Sequence, residues 1–140
     1  MTNVDTRVIE QTVRIAAAPE VVWQYWTDPK RMCEWWGKTA TLEPEPGGTC
    51  RVEMTEGPVM VGQYLELEPY ERLTFSFGWE GDETPVTAGS TRVEVTLTPD
   101  GDGTVLTLRH TEMPADAAAD HEQGWAHFLG VLVETAGAAK

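Results

Sequence analysis

From Thr39 to Thr111 apolar and polar residues alternate with a period of two, and turn residues break the pattern about every eight to twelve positions. A chain patterned this way folds as consecutive antiparallel strands, because successive side chains of a strand point to opposite faces. Only one face of each strand is apolar. Leu73, Phe75, Phe77 and Trp79 oppose Thr74, Ser76 and Gly78; Val93, Val95 and Leu97 oppose Arg92, Glu94 and Thr96; Leu106, Leu108 and His110 oppose Thr107 and Arg109. A sheet with one apolar face must be covered from that side. The segment able to cover it runs from about Ala115 to Ala136, where Trp125, Phe128, Leu129, Leu132, Val133 and Ala136 recur at helical spacing and His121 shares their face. The sheet is expected to curve round this helix and to leave a groove between the two.

Ahead of the strands, Arg7–Ile15 reads as a first strand, with Val13 and Ile15 alternating with Thr12 and Arg14. Pro19 and Glu20 then open a helix through Val21, Val22, Trp23, Tyr25 and Trp26. Asp28 as cap and Pro29 as first residue start a second short helix to about Glu34. The strands that follow are expected at Thr39–Glu43, Thr49–Thr55, Val59–Glu68, Arg72–Trp79, Ser90–Thr98 and Thr104–Thr111. Between them, the acidic and glycine-rich stretch Glu80–Gly89 reads as a mobile loop, and Pro99–Gly103 as a plain turn rather than a calcium loop. No repeat or linker divides the chain, so a single domain over residues 1–140, with its core at about 8–136, is expected.

Composition narrows the function classes. A formal charge of −13 over 140 residues repels phosphate backbones and anionic lipid headgroups, which argues against nucleic acid and membrane surfaces as partners. No apolar run approaches the ~18 residues of a membrane span. The polar start Met1–Gln11 lacks the basic-then-apolar order of a secretion signal, so a cytoplasmic location is expected. Cys33 and Cys50 have neither the spacing nor the histidine neighbours of a zinc site; they are expected as reduced thiols, with no metal and no cofactor. A serine nucleophile elbow, a phosphate-binding glycine loop and an H-E-x-x-H helix are all missing from the sequence.

Three stretches carry a resemblance to a known family: Ile15 to Trp23 with Tyr25 to Pro29, then Trp35-Trp36-Gly37, and Gly124-Trp125 to Leu132. With Gly47-Gly48 and Gly62-x-Tyr64, the chain from about Val8 to Ala136 resembles the START-like (SRPBCC) superfamily, in its branch similar to the activator of heat-shock protein 90 ATPase. The resemblance implies an α+β helix-grip (Bet v 1-like) fold: a curved antiparallel sheet of about six or seven strands wrapped on a long C-terminal helix, with two short helices after strand one. It also implies an apolar cavity between helix and sheet, used by different members for lipids, hormones, polyketides or aromatic compounds. A shared fold does not transfer one activity.

The expected function is therefore the binding of a small, largely apolar or aromatic molecule. Trp23, Trp26, Trp36, Phe75, Phe77 and Trp125 are the candidate walls; Tyr64, His110 and His121 are the candidate polar groups. Large rings also pack ordinary cores, and a histidine on an apolar face can simply be satisfied by its neighbours. Two alternatives stand beside this reading. One is a protein-interaction domain, cochaperone-like or homodimeric. The other is a cyclase- or dehydratase-type enzyme using the shape of the same cavity plus a histidine, such as His110, or a tyrosine as acid or base.

Overall fold

Alternation in the first segment builds an edge strand, and the computed structural model, which describes residues 6–81 and 83–138, begins with it. The order is β1 (Thr6–Ile15), α1 (Pro19–Thr27), α2 (Pro29–Met32), β2 (Thr39–Leu42), β3 (Thr49–Glu53), β4 (Val59–Glu68), β5 (Arg72–Phe77), β6 (Thr91–Asp100), β7 (Gly103–Pro114) and α3 (Ala115–Ala138). One seven-stranded sheet has the order β1-β7-β6-β5-β4-β3-β2, and every pairing in it is antiparallel. From β2 to β7 each strand pairs with the next, as short turns dictate. The α1–α2 corner carries the chain from β1 to the opposite edge, so β1 pairs with β7 instead of β2.

The corner is made by local chemistry. Pro19 sits in the first turn of α1, and the Asp28 carboxylate accepts the backbone N–H of Lys30 at 3.1 Å to cap α2. The second helix ends at Met32, short of the Glu34 expected from its pattern. Both Trp35 and Trp36 are turned inward, and Gly37 stops any further helix by adopting φ +90°. A side chain at Gly37 would strike Val52, and Lys38 N–H donates to Glu53 O at 2.8 Å, so this turn docks directly on β3. Gly62 in β4 is required for a second close approach: a Cβ there would land on the carbonyl oxygen of Ser76 in β5.

Two further differences from the sequence pattern have physical causes. The β6–β7 hairpin tightens until Asp100 pairs with Gly103, because Gly101 supplies φ +61° and Arg14 holds Asp100 through its carboxylate at 2.8 Å and its carbonyl at 3.0 Å. Of the stretch 80–89, expected as a mobile loop, residue 82 lies outside the described residues, and the part from 83 to 89 is anchored. Val86 is fully buried, Trp79 N–H donates to its carbonyl at 2.8 Å, and Gly89 N–H donates to Val61 O at 3.1 Å.

The core lies between the concave sheet face and α3, whose Trp125, Leu129, Leu132 and Ala136 are buried against it. Each large apolar side chain buried there contributes ~1.5–3 kcal/mol. Cys50 is fully buried, and burial pushes its thiol up to about 12, partly opposed by a hydrogen bond with Tyr64. Cys33 is half-buried, and both cysteines are free thiols. Among the described residues no helix is long and apolar enough to cross a membrane.

Candidate functional site

Burial of rings is uneven along the concave face. Toward α1, Trp26 packs edge-on against Trp35 at 4.7 Å and tilted against Phe75 at 6.4 Å, while the Tyr64 hydroxyl donates to Trp26 O at 2.8 Å. That end is filled. Toward the β3–β4 hairpin, α3 and the sheet part to leave a cavity of about 650 Å³. Its buried floor is Trp36, Met54, Phe77 and Trp125; Trp79, His121, Gly124 and Phe128 form half-buried walls; Glu56, Pro58 and Asp120 stand exposed at the rim. Trp36 anchors the floor, parallel to Phe77 within 4° at 6.2 Å and 5.2 Å from Trp125.

Two tryptophans bind two histidines. Thr91 Oγ1 donates its single proton to Phe77 O at 2.7 Å, so at its 2.7 Å contact with His110 Nε2 it must accept. His110 is then the Nε2–H tautomer, and its Nδ1 accepts the indole N–H of Trp125 at 3.0 Å. His121 has the opposite tautomer: Nδ1–H donates to Ala117 O at 2.9 Å, and Nε2 accepts the indole N–H of Trp79 at 2.9 Å. Burial pushes the His110 pKa down to about 3, with the nearby His121 imidazole adding to the effect. His110 is a neutral, doubly satisfied group that holds Trp125 in place, with no nitrogen left for a ligand.

Of the residues proposed from the sequence, the structure therefore brings Trp36, Phe77, His121 and Trp125 into the cavity lining. His110 sits behind Trp125 and Phe77. Trp26, Tyr64 and Phe75 belong to the filled end, and Trp23 packs edge-on against Tyr70, 6.0 Å away. The lining also includes Met54, Glu56, Pro58, Trp79, Asp120, Gly124 and Phe128. Trp79 and Phe128 carried a signal, since alternation and helical spacing already put them on the inward faces. Met54 lay within the expected strand Thr49–Thr55, whereas Glu56 and Pro58 belonged to a turn, where period gives no facing. Among the described residues no group of histidine, cysteine and carboxylate side chains is placed to hold a metal ion.

The fold recurs in known proteins. The sequence profile of the family described as activator of Hsp90 ATPase homolog 1-like protein (AHSA1) matches residues 16–137. The chain belongs to that family. An AHSA1-like protein from Rhizobium etli, solved in solution, is 41% identical with a TM-score of 0.75, covering 95% of this chain and 83% of that one. A protein from Mesorhizobium loti reaches a TM-score of 0.85 at 23% identity, over 96% of this chain and 99% of its own. The Aha1 dimer from Colwellia psychrerythraea gives 0.78 at 21% identity, over 96% and 98%. At those two identities the likeness is one of fold. No curated protein matches the chain. The AHSA1-like domain is thus a helix-grip fold whose three resemblance-bearing stretches form the corner, the Trp35–Trp36 turn and the inward face of α3.

Proposed function

We propose that this AHSA1-like domain binds a small, largely apolar or aromatic molecule in the cavity between α3 and the sheet. The observation that carries the reading is the match of volume to lining: about 650 Å³, walled by Trp36, Phe77, Trp79, Trp125 and Phe128. Small-molecule pockets span ~300–1,000 Å³ with apolar and aromatic walls. Hollows of similar volume elsewhere lack such walls, one being lined by Arg14, Ala16, Ala17, Ala18, Val21 and Asp102.

Gly124 offers a test that spares the fold. It lies in α3 on the cavity wall, and a Cβ built there meets nothing within 4 Å. Gly124→Leu fills the cavity while improving helix propensity by a few tenths of a kcal/mol or more. Titration of the tryptophan fluorescence with 2-naphthol is expected to saturate for the wild-type chain and to weaken at least about tenfold, ~1.4 kcal/mol, in Gly124→Leu. A response that never saturates, or equal binding by the variant, would remove the cavity from the function.

Association with a second copy or another protein is favoured by one feature: β1 is a sheet edge, and its Val8 is 54% exposed. Two copies at −13 repel, so self-association is expected to strengthen as salt screens them, whereas association with a basic partner weakens. Sedimentation at low and high salt distinguishes these, and a monomer at every salt concentration removes self-association.

A further inference from the structure

We infer that the cavity selects cationic ligands, an organic ammonium carried on an apolar or aromatic body; this rests on the ligand-binding reading above. Among the described residues the charged side chains of the lining are Glu56 and Asp120, both carboxylates at the exposed rim, and no lysine or arginine lines the cavity. Among the described residues neither carboxylate is engaged in an ion pair. The donors of the wall are largely spent inside the protein. Trp79 Nε1–H is given to His121, Trp125 Nε1–H to His110, and His121 Nδ1–H to Ala117 O. With these N–H groups spent, the wall offers a ligand mostly aromatic carbon, and a cation over an indole face is attracted by it. An anion entering here would lose its water for a wall with little to donate, past two charges of its own sign. The charge of −13 extends the same preference to approach from solution.

Benzyltrimethylammonium and neopentylbenzene have the same shape, with carbon replacing the charged nitrogen in the second, and so separate charge from fit. Fluorescence titrations of the whole chain are expected to show the ammonium binding about tenfold tighter, and phenylacetate more weakly than either. In the double variant Glu56→Gln/Asp120→Asn, whose substitutions are both on exposed side chains, the ammonium-to-carbon ratio is expected to fall to about twofold, the residue of the ring faces alone. Equal or tighter binding of neopentylbenzene, or a ratio unchanged in the double variant, overturns the charge preference and leaves the cavity reading standing. Failure of all three probes to bind overturns both.

Discussion

Trp36→Ala is expected to destabilise the domain by ~3–5 kcal/mol and to abolish saturable binding of aromatic probes. The ring is 3% exposed and lies among Trp35 at 5.6 Å, Phe77 at 6.2 Å, Trp125 at 5.2 Å and Phe75 at 6.4 Å. Deleting it removes both its own burial and the dispersion contacts of these neighbours, and the space left is continuous with the cavity floor. Interior rings elsewhere collapse into a void only in part, so the larger value of the range applies where neighbours are held fixed. Two of them are held. Trp125 is tied to His110, and the Trp35 indole N–H donates to Tyr25 O at 2.8 Å. Urea unfolding at neutral pH measures the loss through the midpoint, provided the slope is unchanged. A loss below about 1 kcal/mol would mean that the ring caps the cavity without supporting the floor.

The second large effect concerns acid. In the folded chain His110 is held neutral, with burial pushing its pKa down to about 3, whereas an unfolded histidine titrates near ~6.5. Between those values the unfolded state binds a proton that the folded state refuses, so stability must fall as pH falls, and it is fully present only above about pH 6.5. The slope approaches ~1.4 kcal/mol per pH unit, which amounts to roughly 2–3 kcal/mol between about pH 6 and 4. Carboxylates titrate in the same range, so the test is a comparison: urea unfolding at several pH values for the wild type and for His110→Gln. The variant is expected to be less stable at neutral pH, because Trp125 and Thr91 lose their partner, yet to lose stability less steeply with acid. Parallel curves for the two proteins would show that His110 takes up its proton as readily in the folded state as in the unfolded one and would undo the assignment of a neutral, buried imidazole. That assignment also explains why the imidazole has no proton to offer a ligand in the neutral range.

Much of the architecture was legible because it is written in local periods. Alternation marks Val93, Val95, Leu97, Leu106 and Leu108 as inward, and all five are buried. The Pro19, Asp28 and Pro29 signals mark the corner where it occurs. Legibility fails where one residue outweighs the composition of its neighbours. Val86 lies in an acidic, glycine-rich stretch whose average reads as solvent-exposed, but a single fully buried valine with two backbone bonds beside it is enough to anchor the segment. It fails again in the choice of cavity walls. Phe75 and Phe77 have the same facing and almost the same neighbours in sequence, yet only Phe77 lines the cavity. Histidines 110 and 121 likewise share an inward facing, and one lines the space while the other is sealed behind a tryptophan.

By itself the sequence determined the class of fold, the order of the strands and helices, and which face of each is apolar, because these depend on residues within a few positions of one another. Only the tertiary structure decided where the interior is full and where it is hollow. A period of two or 3.6 states a direction but not a depth, and the hollow exists because α3 and the β3–β4 hairpin, whose lining residues Pro58 and Asp120 lie more than sixty positions apart in the chain, fail to meet. The hydrogen-bond pairing of two tryptophans with two histidines is of the same kind. It spans up to 42 residues of sequence, and it settles which donors the wall keeps and which it has already spent.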